Sequence, residues 1–286
     1  MFTAQKEMFF HVVIAFRMAI NTRLAPEVKE QHVDELRKWE PYCGEGPGPD
    51  AWLSRWNLDP VLGIALLLLA LALWRMPTRD DIASSRVLSL RCAWGLTVAL
   101  YVSPLCALSS TFFTVRVVHH IALVLVIAPL MAFGLEPYLR RLPAPLWSAT
   151  AIASAIFWTW HAPAPYAAAL SSVPLYALMQ FTLLASALVF WIAIRRSDAT
   201  AAIGAILATT VSMGLLGALI TFAGRPLYEP HFASTLSWGV SPLDDQQLAG
   251  ITMWAPGSIA YLAAAMWIGW RWMNAERRHS LRGETV

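Results

Sequence analysis

From Pro60 onward the chain consists of seven long apolar stretches separated by short polar gaps. A helix needs roughly 20 mostly apolar residues to cross about 30 Å of hydrocarbon. Of the 286 residues, 57% are hydrophobic and only 14% are charged, a composition that excludes an ordinary soluble domain. The sequence therefore predicts an all-α, polytopic membrane protein built as a bundle of seven transmembrane helices. The predicted spans are 60–76, 87–107, 113–134, 147–163, 174–194, 200–223 and 250–272.

The arginines between these stretches alternate between many and almost none. The gaps after the first, third and fifth stretches and the segment after the seventh hold two, two, two and three arginines, with Arg75, Arg91 and Arg271 at the adjoining span ends. The three intervening gaps hold only Arg225. Short cytoplasmic loops of membrane proteins retain Lys and Arg. We therefore expect the amino end to lie outside, the carboxyl end to lie in the cytoplasm, and the arginine-poor gaps to face outward.

The amino-terminal part differs in character because it mixes charges of both signs. We expect an extramembrane tail over 1–56, a transmembrane domain over 57–274 and a cytoplasmic tail over 275–286. Within the first tail, 8–20 is apolar over too short a length to span a membrane and predicts an interfacial amphipathic helix. The glycine- and proline-rich run 44–50 is typical of a linker.

The chain has three cysteines, Cys43, Cys92 and Cys106. The last two lie on one predicted helix, roughly 21 Å apart at 1.5 Å per residue, which is too far for a disulfide. The sequence predicts no disulfide framework.

The third stretch carries Arg116, His119 and His120 in its outer half. Arg116 precedes the histidines by three and four residues and so shares a helix face with each, whereas the two histidines point about 100° apart. Ionisable groups within a span are costly and usually mark a functional site or a polar cavity. Either these side chains satisfy one another, or at least one histidine binds a ligand.

Other residues with chemical potential also fall at outward ends of the stretches. His161 is either an interfacial histidine or a ligand. Met179 is either a core-packing residue or a ligand, and Cys106 is either a buried cysteine or a ligand. Thiolate and thioether sulfur together with imidazole favours Cu(I), although no C-x-x-C, M-x-x-M or H-x-x-x-H spacing is present. The candidate copper ligands are His119, His120, His161, Cys106 and Met179.

The longest outward loop is also rich in polar side chains. Asp244 and Asp245 precede a predicted helix, so they either cap it or serve as counter-ions of Arg116. We expect a polar cluster on the outer face. Its predicted members are Arg116, Tyr166, Tyr176, Gln180, Arg225, Asp244, Asp245, Gln246 and Gln247.

Catalytic motifs are missing from the sequence. It contains no G-x-S-x-G elbow, no H-E-x-x-H and no glycine-rich phosphate loop. We therefore expect a protein that is not an enzyme. The formal charge of +3 implies no nucleic-acid partner.

Several segments in the same order resemble the caa3-type cytochrome c oxidase assembly factor family, also called CtaG. They are WNLDP, YVSPLCALS, VVHHIALVLVIAPL, WHAPAPY, TFAGRPLY and SPLDDQQLAGITMWAPG. The resemblance covers about 57–272. It implies a factor of the bacterial inner membrane that helps build a haem-copper oxidase by assisting copper delivery or cofactor insertion at the periplasmic face. The implied partners are the lipid bilayer and oxidase subunits, and the implied cargo is Cu(I).

The chain departs from the family pattern where imidazoles are common. Arg116 stands four residues before His120 in place of a histidine, Tyr176 and Gln180 replace a histidine pair, and Cys106 stands where an acidic residue is frequent. These departures keep two alternatives open. One is a metal-free membrane chaperone for oxidase subunits, and the other is a copper transporter, which would need polar residues through the full membrane depth.

Overall fold

The computed structural model describes residues 39, 41–78 and 80–281. Every regular element among them is helical. The predicted amphipathic helix over 8–20 lies outside the described residues. The α-helices are α1 (Pro60–Trp74), α2 (Asp81–Val102), α3 (Pro104–Thr111), α4 (Phe113–Leu135), α5 (Leu146–His161), α6 (Pro163–Leu170), α7 (Val173–Arg196), α8 (Ala199–Thr221) and α9 (Pro242–Leu281).

Each predicted stretch coincides with one helix or a pair of helices. By length and hydropathy, α4, α7, α8 and α9 can each cross a membrane, and α2 with α3 forms a fifth candidate that bends by 55°. The apolar α1 has 15 residues and α5 has 16, both shorter than a typical span. An all-α fold with several candidate membrane spans is therefore confirmed for the described residues, whereas the count of seven and the orientation stay predictions.

Short polar side chains set where several helices begin. The Asp59 carboxylate accepts hydrogen bonds from the backbone N–H groups of Val61 and Leu62, directly before Pro60 at the first helical position. Asp80 and Asp198 cap α2 and α8 in the same way. The break between α2 and α3 falls at Ser103, whose extended backbone is favoured by the following Pro104.

The middle of α4 contains a π-helical turn over Leu123–Ile127. Pro129, just beyond it, has no N–H group to donate to the preceding turn, so carbonyl groups in that turn lose a partner. The indole N–H of Trp191 on α7 donates to the Val124 carbonyl at 2.8 Å. A side chain of a second helix thus supplies a hydrogen-bond donor to a carbonyl group of the irregular turn.

Glycines allow α8 and α9 to pack closely. A Cβ atom added at Gly250 would lie 2.6 Å from the Gly217 carbonyl oxygen, and one added at Gly217 would lie 2.8 Å from the Gly250 carbonyl oxygen. Any side chain here would push the backbones apart.

Residues 41–58, called the strap below, lie across the arginine-poor end of the bundle. A disulfide joins Cys43 to Cys106 on α3, with their Cα atoms 5.3 Å apart. The Pro47 carbonyl accepts hydrogen bonds from the Thr111 hydroxyl and the Trp238 indole. The prediction of no disulfide is therefore wrong, because spacing along one helix could not reveal a partner 63 residues away. The run 44–50 is likewise held against the bundle.

The arginine-rich end is fastened by one carboxylate. Glu136, directly after α4, accepts hydrogen bonds from Arg86 on α2 at 3.1 Å and from Arg195 on α7 at 2.9 Å. The hydrogen bond from Arg195 is the main cause that lowers the pKa of Glu136. Three helix ends are thereby joined by charge.

Candidate functional site

The buried Arg, His and Asp side chains among the described residues gather at the arginine-poor end, beneath or beside the strap. They form two groups. The histidine cluster comprises Tyr101, Arg116, His119, His120, His161, Tyr176 and Gln180. The loop cluster comprises Thr111, Tyr166, Tyr228, His231, Asp245 and Gln246.

Two imidazoles meet at the centre of the histidine cluster. The Nδ1 atom of His120 on α4 lies 3.3 Å from the Nε2 atom of His161, the last residue of α5. Both residues are at most 1% exposed. The site therefore brings together two histidines that the sequence places 41 residues apart.

The hydrogen bonds around these rings fix their tautomers. His161 donates from Nδ1 to the Phe157 carbonyl at 2.7 Å, which leaves its Nε2 atom as an acceptor for Nδ1–H of His120. The Nε2 atom of His120 then accepts from the Gln180 amide at 3.3 Å. The Gln180 carbonyl oxygen accepts from the Tyr101 hydroxyl at 2.8 Å. The chain of donors runs in one direction and satisfies both rings as neutral imidazoles.

Arg116 is fully buried without a carboxylate partner in the described part of the chain. Its Nη1 atom donates to the Tyr176 hydroxyl at 2.8 Å, and the guanidinium lies 5.1 Å from the centre of the Tyr176 ring. The Nε and Nη2 atoms find no acceptor. Arginine remains charged in proteins, so the bundle holds a buried positive charge with spare donors.

His119 is buried and uncommitted. Neither of its ring nitrogens has a hydrogen-bond partner among the described residues. Its ring packs edge-on against Tyr101, with centroids 4.7 Å apart, and its centroid is 6.4 Å from that of His120. A buried polar group without a partner carries a desolvation cost and calls for a specific reason.

The two aspartates do not serve as counter-ions of Arg116. Asp245 accepts hydrogen bonds from the backbone N–H groups of Phe113 at 2.6 Å and Thr114 at 3.1 Å, so it caps the start of α4 from another helix. Asp244 exchanges hydrogen bonds with Ser241 at the start of its own α9. The predicted ion pairs are therefore wrong, because the free N–H groups at the start of α4 take up the Asp245 carboxylate and the Ser241 hydroxyl takes up the Asp244 carboxylate.

The remaining loop residues divide between structure and surface. Gln246 accepts a hydrogen bond from the Leu227 N–H at 2.6 Å and donates to the carbonyls of Ile220 and Arg225, which anchors the loop. The Arg225 residue itself is exposed, and Gln247 is half-buried. Neither residue has a recorded contact with the histidine cluster.

His231 is the centre of the loop cluster. Its Nδ1 atom donates to the Thr111 carbonyl at 3.1 Å, and its Nε2 atom accepts from the Tyr166 hydroxyl at 2.6 Å. Burial lowers the pKa of His231 to about 3, so the ring is neutral. Tyr166 therefore belongs to this group and also links it to the histidine cluster, because its hydroxyl interacts with Arg116.

Comparison with protein families shows which family the chain belongs to. A model of the cytochrome c oxidase caa3 assembly factor family matches residues 67–275, most of the chain. The chain belongs to this family. Comparison with curated proteins and with solved structures finds no match. The family membership, predicted from the sequence segments, is confirmed.

In this caa3 assembly factor, two of the candidate copper ligands are otherwise engaged. The Cys106 sulfur is bonded to Cys43 and so offers no thiolate in this state. Met179 is fully buried within the apolar core. Its role as a ligand stays a prediction.

Few of the described side chains of the assembly factor lie close enough together to bind one metal ion. Within residues 41–78 and 80–281, no group of three or more His, Cys, Asp or Glu side chains is arranged to hold an ion. The distance between the His120 Nδ1 and His161 Nε2 atoms alone is compatible with two positions of one ion. Metal–nitrogen bonds of about 2.0–2.1 Å across the 3.3 Å gap would subtend about 110°, close to the tetrahedral angle.

Several functional residues escaped the sequence analysis. Tyr101 lies in the YVSPLCALS segment, where its hydroxyl orients Gln180. The Tyr228 hydroxyl donates to the His161 carbonyl at 2.7 Å and so holds the end of α5. Both tyrosines occur within the family-like segments, which was the available signal, but nothing in their spacing indicates a partner.

Proposed function

We propose that this assembly factor passes copper to a cytochrome c oxidase at the outer face of the bacterial inner membrane, through the His120–His161 pair. Membership of the assembly factor family supports a role in building the oxidase. The observation that carries the copper proposal is the 3.3 Å approach of two buried imidazole nitrogens. The uncommitted His119 lies beside them as a further imidazole.

Copper would replace the proton that His120 and His161 share. His161 already presents its Nε2 lone pair, because its Nδ1–H is held by the Phe157 carbonyl. His120 would move its proton to Nε2, and Gln180 would turn its amide so that the oxygen accepts that proton. Tyr101 can then accept from the Gln180 NH₂ group, since a hydroxyl both donates and accepts. Binding is thus coupled to one side-chain rotation.

The charge of the cluster suits release more than storage. Arg116 is buried one helical turn from His120 and has no carboxylate partner among the described residues. A second cation is disfavoured near an uncompensated positive charge in a low-dielectric region. A site with two neutral ligands beside an arginine would hold Cu(I) briefly, as delivery requires.

The outward position of the site has two independent supports. The arginine alternation places the histidine cluster at the arginine-poor end, which the positive-inside rule assigns to the outside. The Cys43–Cys106 disulfide lies at the same end, and disulfides persist in oxidising compartments.

A metal-free chaperone is the second candidate. The observation in its favour is that the Tyr101–Gln180–His120–His161 chain satisfies every ring nitrogen of the pair without a metal. A transporter is less compatible, because the buried Arg, His and Asp side chains of the described residues all lie at one end.

The test measures oxidase assembly in cells that depend on this factor. Variants His161→Ala and His120→Ala are compared with Thr159→Ala, an exposed neighbour on α5. Haem-copper oxidase activity and copper content are measured with and without added copper. We expect the histidine variants to lose assembly and to recover it at high copper, while Thr159→Ala behaves like the unchanged protein.

Two outcomes would decide against copper delivery. Loss of assembly that added copper does not restore would favour the chaperone. Normal assembly in both histidine variants would remove the pair from the function altogether.

A further inference from the structure

The disulfide between Cys43 and Cys106 is asymmetric in its access to solvent. Cys106 is fully buried, whereas Cys43 in the strap is partly exposed. Thiol–disulfide exchange begins when an external thiolate reaches one of the two sulfurs. Of the two residues, only Cys43 has surface through which an external thiolate can approach.

The surroundings of Cys106 suit a leaving thiolate. Cys106 lies in the first turn of α3, where the helix dipole favours negative charge. The Asn57 side-chain amide points an N–H group at its sulfur, with the two atoms 3.8 Å apart. A thiolate formed at Cys106 would therefore be stabilised while it remains buried.

The surroundings of Cys43 favour its sulfur as the atom that the external thiolate attacks. The Tyr176 hydroxyl oxygen lies 3.7 Å from the Cys43 sulfur and accepts a hydrogen bond from Arg116. Because Arg116 occupies the acceptor side of this hydroxyl, its proton is free to point at the sulfur. The strap also stacks Tyr42 on the Tyr176 ring, with centroids 5.4 Å apart.

We propose that the Cys43–Cys106 disulfide is a thiol–disulfide exchange site that accepts electrons from an external dithiol through Cys43. A thiolate of the dithiol attacks the Cys43 sulfur and forms a mixed disulfide. The Cys43–Cys106 bond breaks, and its electron pair leaves on Cys106, which takes a proton from water. The second thiol of the reductant then attacks its own sulfur in the mixed disulfide and releases Cys43 as a thiol. The dithiol becomes a disulfide, and the protein gains two thiols.

The other contacts of the strap allow this exchange to be reversible. The Pro47 carbonyl remains hydrogen-bonded to Thr111 and Trp238, and the Asn57 N–H donates to the Val102 carbonyl at 2.9 Å. None of these bonds depends on the disulfide. After reduction the strap stays on the bundle and keeps both thiols within reach of each other. The proposal is independent of copper binding, because no step uses the histidines.

The test uses the full chain in lipid nanodiscs with Cys92→Ser, which removes the exposed free cysteine. Dithiothreitol serves as the dithiol and glutathione as a monothiol that traps the intermediate. We expect dithiothreitol to release two thiols per chain without unfolding, and mass spectrometry to find the glutathione adduct on Cys43. In Cys106→Ser, which has no disulfide, oxidised glutathione replaces the reduced form; it should place a glutathione adduct on Cys43 by exchange, and this adduct should accumulate because no resolving thiol remains.

Asn57→Leu tests the leaving-group role. Losing one hydrogen bond should slow reduction by about threefold to tenfold. Ser54→Ala is the matched control, because Ser54 lies in the strap and bonds only to the Ala51 carbonyl in the described contacts. Equal rates in Asn57→Leu and Ser54→Ala would contradict that role. An adduct on Cys106, or a disulfide that is reduced only when the protein unfolds, would overturn the proposal even if Asn57→Leu fails to fold.

Discussion

At the scale of single residues, burial decides which side chains of the outer end titrate. His231 has its pKa lowered to about 3 from the ordinary 6.5, first by burial. The unfolded chain therefore binds the proton more readily than the folded protein between these values. The stability that His231 contributes is complete above pH 6.5 and is lost as the pH falls towards 3.

This linkage gives a measurable pH dependence. Between pH 7.5 and pH 5, His231 should lower the free energy of unfolding by about 2 kcal/mol. His231→Gln can still donate to the Thr111 carbonyl and accept from Tyr166, but it carries no titrating ring. Unfolding in detergent at both pH values should show that this variant loses that share of the dependence. An unchanged dependence would assign it to other groups.

Asp244 and Asp245 are neighbours in the sequence but make different hydrogen bonds. Asp245→Ala leaves the Phe113 and Thr114 N–H groups without acceptors, at a cost of about 1–3 kcal/mol for each buried group. Asp244→Ala removes an exposed capping contact worth about 1 kcal/mol or less. Denaturant unfolding in micelles should rank them in this order. Equal losses would contradict the capping role assigned to Asp245.

Sequence reasoning at this scale singled out His120, His161 and Gln180 but not Tyr101 or the hydrogen bonds that join these residues. It grouped Asp245 with Arg116 by charge, whereas the carboxylate caps α4. Charge attraction is visible in a sequence, but the free N–H groups of a helix end become a partner only after the fold brings α4 and α9 together.

At the scale of elements, the apolar stretches predicted the helices well because hydrophobicity over 15 or more residues leaves few alternatives in a membrane. The bend between α2 and α3 and the strap were not predicted. Both depend on contacts over long sequence distances, such as Thr111 with Pro47. The π turn in α4 likewise depends on Trp191 of α7.

Close packing of α8 and α9 can be tested with two glycines. Gly250→Ala would bring its Cβ within 2.6 Å of the Gly217 carbonyl oxygen and should destabilise the protein strongly. Gly214→Ala is the matched control, since its Cβ would have no atom nearer than 3.5 Å. Alanine also favours a helix over glycine by about 1 kcal/mol. We expect Gly214→Ala to match or exceed the thermal stability of the unchanged protein, and comparable losses in both variants would refute the packing argument.

At the scale of the whole molecule, the two ends of the bundle differ in chemistry. One end carries the Glu136 ion pairs, and the other carries the strap, the disulfide and the histidines. The arginine pattern predicts that the second end is outside, and the disulfide agrees with this assignment. The orientation of the bundle in the membrane can therefore be tested by chemical labelling.

Single cysteines placed at the two ends test the orientation in a Cys92→Ser background. Ser237 and Thr200 are both exposed and lie at the arginine-poor and arginine-rich ends, respectively. A membrane-impermeant maleimide added to intact spheroplasts should label Ser237→Cys but not Thr200→Cys. Lysis should make both react. The reverse pattern before lysis would invert the topology.

The most direct test of the account as a whole is the copper stoichiometry of the purified full-length protein with its disulfide intact. Cu(I) is supplied in excess together with a chromogenic competitor of low affinity, because the site is expected to bind Cu(I) weakly. The unchanged protein is compared with a His120→Ala/His161→Ala variant and with Thr159→Ala. We predict one Cu(I) per chain in the unchanged protein and in Thr159→Ala, and none in the double variant. Equal copper in the double variant, or no copper in any of the three, would contradict it.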